Sequence, residues 1–271
     1  MTAGPIVVGI DGSENSSRAV DWAQSWATAL GRQVMLVSAV PAPPGRRPDA
    51  PGLDERARSV LEAELSRAGV GVTGEAYVRH PVTALVEVSQ DAAAVVVGTK
   101  GTGGWRGGVT GSVSGNVAAA SHAPTVVIPA EARGDYDPDG PLVVGFDGSE
   151  AAMGAARQAV AAATVEGRAV RLVQADTGKS SPEEPLADLL ADLRAEQPGV
   201  ELELITAEGD AVEVLTEHSD DAAFVIVASN GHRGVPGFLL GSTARGLIQS
   251  SKAPVIVLTQ LSERTWPTLA R

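Results

Sequence analysis

Residues 95–112 read VVVGTKGTGGWRGGVTGS, and this stretch decides the fold. Three consecutive valines imply a strand buried on both faces. The glycine-rich run after them implies a loop, and the closing Gly111-Ser112 implies a helix start. Residues 225–243, VIVASNGHRGVPGFLLGST, repeat the pattern, with Gly241-Ser242 lying 130 positions after Gly111-Ser112. A strand, a flexible loop and a helix N-terminus favour an anion, because the first N–H groups of a helix have no partner within it and its dipole is positive at that end.

Outward from this stretch, strands and helices alternate. Residues 6–10 (IVVGI) predict a buried strand closed by Asp11-Gly12-Ser13, a turn with a helix N-cap. Ala19, Val20, Ala23, Trp26, Ala27 and Leu30 predict a helix over 14–30. Residues 34–40 predict a strand, and 41–52, with five prolines, an exposed loop or lid. A helix over 53–68, a strand over 72–78 and a short helix over 81–90 follow. After the 95 strand and its loop comes an alanine-rich helix to about Ala123, then a fifth strand over 125–128 beyond Pro124. The alternation predicts a parallel, doubly wound sheet with right-handed crossovers.

Beyond a polar connector (PAEARGDYDPDG, 129–140), LVVGFDGS at 142–149 repeats IVVGIDGS at 6–13. Further matches place strands at 169–173 and 200–205 and helices at 186–193 and 211–218. Residues 220–223 followed by 224–227 are read against 91–94 followed by 95–97, and Ala253-Pro254 repeats Ala123-Pro124. The match indicates a duplicated domain. Expected boundaries are 1–132 for the first domain, 133–140 for a linker, 141–260 for the second domain and 261–271 for a tail or clasp anchored by Trp266.

Composition excludes several classes. A net charge of −12 among 271 residues argues against a general nucleic-acid or anionic-membrane binder. No cysteine is present, so disulfides, thiolate metal sites and a cysteine nucleophile are ruled out. The apolar run at 6–10 is too short for a signal peptide or membrane span, which makes the cytoplasm the expected location.

In such a sheet ligands sit beyond the carboxyl ends of the strands, where the winding reverses. The first strand ends at Asp11 and the fourth at Gly98. Asp11 suits a ribose hydroxyl, an adenine amino group or a metal-bound water, while loop N–H groups and the Ser112 hydroxyl suit phosphate. Asp147, Gly231, Gly241 and Ser242 repeat the set. Asp-Gly-Ser after a strand reads equally as an ordinary turn with an N-cap, and both readings stand at this point. The P-loop pattern is absent, and a G-x-G-x-x-G read from Gly101 fails at Arg106. His80, His122, His218 and His232 form no ligand motif; His122 and His218 fall near helix ends.

Gly98-x-x-Gly101, nine residues, then Gly111-Ser112 resembles the ATP-binding signature of the universal stress protein family. The opening VVGxDGS and the Ala-Pro before the last strand resemble it too, over nearly the whole chain. That resemblance implies two tandem, Rossmann-like domains of the adenine nucleotide alpha hydrolase type, each with five parallel strands in the order 3-2-1-4-5. It implies ATP as ligand, with or without Mg2+, between the ends of the first, second and fourth strands. The site residues carried over are Asp11, Gly12, Ser13, Ala39, Gly98, Lys100, Gly101, Gly111, Ser112, Val113 and Ser114. In the second half they are Asp147, Gly148, Ser149, Ala175, Ala228, Gly231, Gly241, Ser242 and Thr243. Lys100 and Arg106, or His232 and Arg233, are either phosphate partners or solvated loop cations.

Ala228 breaks the glycine pattern of the second half and weakens binding there if the position needs φ > 0 or close backbone approach. The first site is therefore expected to be the tighter. In the order 3-2-1-4-5 the fifth strand is an apolar sheet edge, which the two domains can cover for each other. The expected function is ATP-dependent stress regulation with at most slow hydrolysis and a homodimer of chains. The competing readings are an ATPase or phosphoryl- or nucleotidyl-transfer enzyme, and a nucleotide-independent scaffold.

Overall fold

The computed structural model describes residues 4–47, 52–99, 112–130, 139–176, 184–229, 240–259 and 262; side chains are described for all of these except 112 and 184–189. The first half comprises β1 (Ile6–Ile10), α1 (Glu14–Ala29), β2 (Val34–Val40), α2 (Glu55–Ala68), β3 (Val72–Val78), α3 (Pro81–Val88), β4 (Ala94–Gly98), α4 (Ser112–Ala120) and β5 (Thr125–Ile128). The second comprises β6 (Leu142–Gly145), α5 (Glu150–Glu166), β7 (Val170–Asp176), α6 (Glu184–Glu196), β8 (Leu202–Glu208), α7 (Ala211–Glu217), β9 (Phe224–Ala228), α8 (Ser242–Ser250) and β10 (Val255–Leu258).

Each half is a parallel sheet in the predicted order, and the two join into ten strands ordered β3-β2-β1-β4-β5-β10-β9-β6-β7-β8. The fifth strands are therefore not edges. β5 and β10 pair antiparallel, with Val255 opposite Val127 and Val257 opposite Thr125. TVVI and VIVL are buried along their whole length, so each satisfies the backbone row and apolar faces the other would have left exposed.

Successive side chains on a strand face opposite ways. Ile6, Val8 and Ile10 join the core beneath α1, α2, α5 and α6, whereas Val7 joins the core beneath α3, α4, α7 and α8. Trp22 and Trp26 of α1 reach across the seam to Phe224 of β9, with ring centroids 5.8 and 6.0 Å away. On the far side of the seam the Thr259 hydroxyl donates to the buried Ser121 carbonyl at 2.7 Å.

Three sequence readings are corrected. The alanine-rich helix stops at Ala120, not Ala123, because the Ser121 hydroxyl engages both backbone groups of Ala123 and Pro124 disfavours helical geometry before it. α2 begins at Glu55, two residues after Leu53. Strand register pairs Ile6 with Ala94 and Leu142 with Phe224, so Ala94 corresponds to Phe224 and Asp91 to Asp221; the earlier alignment of 91–94 with 220–223 was one residue out. The proline-rich segment is mostly exposed over 41–47, while 48–51 lie outside the described residues.

Candidate nucleotide site

The turn after β1 is built by three residues in sequence. The Asp11 carboxylate accepts the Ser13 N–H at 3.0 Å, Gly12 takes φ 80°, and the Ser13 hydroxyl caps α1 by accepting the Ser16 N–H at 3.1 Å. The second half repeats this: Asp147 accepts from Ser149 at 3.0 Å, Gly148 takes φ 78°, and Ser149 caps α5 through Ala152 at 3.1 Å. A φ in this range is costly for any residue with a Cβ. The plain reading of Asp-Gly-Ser as a turn with an N-cap is thus correct in both halves, and it places each carboxylate at the carboxyl end of its half's central strand. Asp11 is half-buried and Asp147 exposed.

Beyond this turn the sheet opens. β1 and β4 pair up to Val8 and Val96, although β1 runs on to Ile10 and β4 to Gly98. β6 and β9 likewise pair only to Val144 and Ile226. The gap lies where the winding reverses, the place where open α/β sheets bind ligands. On the side of β1 away from β4, Ala39 of β2 sits opposite Tyr77 of β3; likewise Ala175 of β7 sits opposite Ala207 of β8. Burial, followed by the Glu75 carboxylate that accepts its hydroxyl proton, pushes the Tyr77 phenol up to about 12.

Gly98 has an ordinary φ but no room for a side chain: a Cβ there would lie 2.9 Å from the Asn15 carbonyl oxygen and 3.1 Å from the Asn15 side-chain nitrogen. Asn15, in the first turn of α1, donates to the Thr99 hydroxyl at 3.3 Å. Thr99, where the chain leaves β4, also donates its N–H to Ile128 at 3.1 Å. In the second half these places hold Ala228, Ala151 and Ser229. Sequence reading missed Asn15 and Thr99; superposing the repeats with the register above would have flagged them as a joint difference.

Lys100, Gly101, Arg106 and Gly111 lie outside the described residues, as do Gly231, His232, Arg233 and Trp266. The end of the second loop is described. The Gly241 N–H donates to the Ser229 carbonyl at 2.8 Å, so the chain returns to the residue from which it left β9. α8 then starts without a side-chain cap or a first-turn acid, and α4 likewise has no first-turn acid. α1 and α5 instead carry serine caps and Glu14 and Glu150 in their first turns. Of the helix N-termini near each gap, the one after the glycine loop is thus the one suited to an anion.

Ser242 is exposed and Thr243 and Val113 are half-buried at these helix starts. Ser114 is 2% exposed and shares its place with the buried Ala244, so it faces the interior. Of the carried-over residues, Asp11, Gly12 and Ser13 form one turn, with Gly98 packed against Asn15 of the helix that this turn caps; Asp147, Gly148 and Ser149 form the matching turn, and Gly241 returns to Ser229, next to Ala228. Because β5 and β10 run antiparallel, the two gaps open at opposite ends of the sheet. Asp176 and Glu208 pair at the carboxyl ends of β7 and β8, where the first half has Val40 and Val78.

Among the described residues no group of three or more His, Asp or Glu is placed to hold a metal, and no helix is long and apolar enough to cross a membrane. His80 and His218 occupy the N-cap of α3 and the C-cap of α7; His122 donates its N–H to Ser89 at 2.9 Å. A depression of about 310 Å³ lined by Thr164, Gly167, Arg168, Gly199 and Glu201 lies at the amino ends of β7 and β8, away from both gaps.

Fold and sites together define a tandem of two doubly wound α/β domains joined edge to edge. The family model described as the Universal stress protein family matches residues 3–129 and again 140–259, and the chain belongs to that family. It is 32% identical to Universal stress protein Rv1996 of Mycobacterium tuberculosis over 297 aligned residues, covering 93% of this chain and 94% of that one. It is also 32% identical to Universal stress protein Rv2623 of the same organism, covering 93% and 95%. A universal stress protein from Archaeoglobus fulgidus has the same fold, with a TM-score of 0.74 at 17% identity over 96% of this chain and all of that one.

Proposed function

We propose that the chain binds ATP at the first gap and an adenine nucleotide at the second, and that occupancy governs its interactions in a stress response. The observation that supports this most is the meeting of the Asp11 turn with the base of the 100–111 loop across the opening between β1 and β4. A nucleotide spanning the gap puts its sugar or base toward Asp11 and Ala39 and its phosphates toward the start of α4. Mg2+ belongs to the proposal as a companion of the nucleotide's phosphates.

The activity assigned is binding, with hydrolysis at most slow; turnover faster than about 1 s⁻¹ would move the chain to the ATPase reading. The overall charge of −12 disfavours nucleic acid and acidic membranes as partners, and the cytoplasm is the proposed location. A homodimer of chains is part of the proposal; it must use a surface other than β5 and β10, which already pair within the chain. Light scattering of a clean monomer at micromolar concentration would remove it.

The decisive experiment is mass spectrometry of small molecules released on denaturing the purified protein, followed by calorimetric titration with ATP. Release of an adenine nucleotide, and loss of binding at one site in a Gly111→Ala, Ser112→Ala variant, support the reading. No adenine nucleotide on purification together with no thermal shift on adding ATP favours the scaffold.

A further inference from the structure

Arg245 is the fourth residue of α8, and a cation near a helix N-terminus is opposed by the helix dipole. Two other helices neutralise such a cation one turn earlier. Arg18 of α1 pairs with Glu14 at 3.2 Å, and Arg58 of α2 pairs with Asp54 at 2.6 Å. One turn before Arg245 stands Gly241, which has no side chain to offer. The guanidinium Nη2 instead donates to the Leu240 carbonyl at 3.3 Å, which turns the charge back toward the start of the helix. Gly241 is the N-cap there and makes no side-chain bond, so the first N–H groups of α8 and the guanidinium share one end. Arg245 is exposed, and among the described residues no carboxylate pairs with it. α4 and α8 start at Ser112 and Ser242 and each runs for nine residues, so Gly115 holds the same place in the first half.

We propose that Arg245 is a phosphate-binding residue of the second site, and that its charge makes affinity there depend on how many phosphates the nucleotide carries. This rests on the nucleotide reading above. A guanidinium carries five N–H donors in a planar fork that suits phosphate oxygens, and the Leu240 carbonyl engages one of its nitrogens. Its attraction grows with the charge of the ligand and is nil for an uncharged nucleoside. It also offsets the Asp176 and Glu208 carboxylates at the ends of β7 and β8. The signature is therefore graded: Arg245 matters most for ATP, less for AMP and not for adenosine.

The test uses the full-length chain with the first site disabled by Ser112→Asp, which puts a carboxylate at the start of α4. Arg245→Gln removes the charge and keeps an N–H donor, and its fold is checked by thermal unfolding. ATP affinity is expected to fall about threefold to tenfold, the effect of one charged hydrogen bond at an exposed position. AMP loses less, adenosine is unchanged, and the ATP loss shrinks in high salt. The converse chain carries Gly115→Arg, with the second site disabled by Ser242→Asp. A Cβ at Gly115 has room, its nearest neighbour being the Leu240 side chain at 3.9 Å, and ATP affinity is expected to rise. Unchanged ATP affinity in either variant, or equal losses for ATP and adenosine in Arg245→Gln, overturns the inference while leaving nucleotide binding intact. Absence of ATP binding in the unmodified chain fails the nucleotide reading itself, and the inference with it.

Discussion

The two gaps share their turn and differ at their rims. Gly12 and Gly148 adopt the same left-handed backbone, and Ser13 and Ser149 cap their helices alike. A Cβ on Gly9 or on Gly145 would meet a leucine of α3 or α7 at 2.9 Å in each case. Around this shared frame the first half has Asn15, Gly98, Thr99, Val40 and Val78, and the second has Ala151, Ala228, Ser229, Asp176 and Glu208. The turn after the central strand and the glycine packed under α3 or α7 are thus the same in both halves, whereas the residues at the strand ends and helix starts around them differ. The second half carries Asp176 and Glu208 where the first carries Val40 and Val78, and added negative charge opposes a polyphosphate.

The largest expected effect concerns the seam. Phe224 packs on Trp22 and Trp26, while its counterpart Ala94 has no ring to offer. Phe224→Ala is expected to cost about 3–5 kcal/mol, read as a lower urea midpoint. A loss under about 1 kcal/mol would show that the seam collapses to fill the space.

Next comes the exchange at the fourth strands. Gly98→Ala forces a methyl against the Asn15 carbonyl and is expected to cost about 1–3 kcal/mol. Ala228→Gly only frees the chain, at about 0.5–1 kcal/mol. Equal costs in urea unfolding would break the reading that the close approach of Asn15 leaves no room for a methyl at Gly98.

Asp176→Val gives the second rim the character of the first at Val40. ATP affinity at the second site is expected to rise by a few fold, about 1 kcal/mol or less. The gain should shrink in high salt, where exposed charges are screened. Titration at two salt concentrations checks this, and a salt-independent gain would point away from charge.

The smallest effect is a response to acid. The Arg171 guanidinium, bonded to the Asp221 carboxylate at 2.9 Å, holds that carboxyl below its usual range, outweighing the effect of burial. A depressed folded-state value means that the stabilisation is present above the unfolded carboxyl range, near pH 4, and is lost as pH falls through the lower folded value. Asp221 is largely exposed, so its worth is about 0.5 kcal/mol. The first half has Met35 in place of Arg171 and lacks this ion pair. Arg171→Met should therefore narrow the difference in urea midpoint between pH 5 and pH 3.

Most of the fold was legible because parallel strands buried on both faces are continuous apolar runs, and the helices between them keep a 3.6-residue period. β1, β2 and β3 begin and end where those patterns do. Helix ends were less legible, as at Ala120, because a serine side chain and a proline decide them locally. Of the site, the Asp11 turn could be read from three adjacent residues. The Asn15–Thr99 bond could not, because a single asparagine in a helix's first turn carries no pattern and its partner lies 84 residues away.

The chain's sequence alone determined the class of fold, the duplication, and which residue types stand at the strand ends, since each follows from local periodicity and from repeats read along one dimension. Tertiary structure alone decided that β5 and β10 pair antiparallel, which sends the two gaps to opposite ends of one sheet. It also decided that Gly98 is required by the nearness of α1 and not by its own φ. Both depend on which distant segments touch, and contact between distant segments is set by packing in three dimensions.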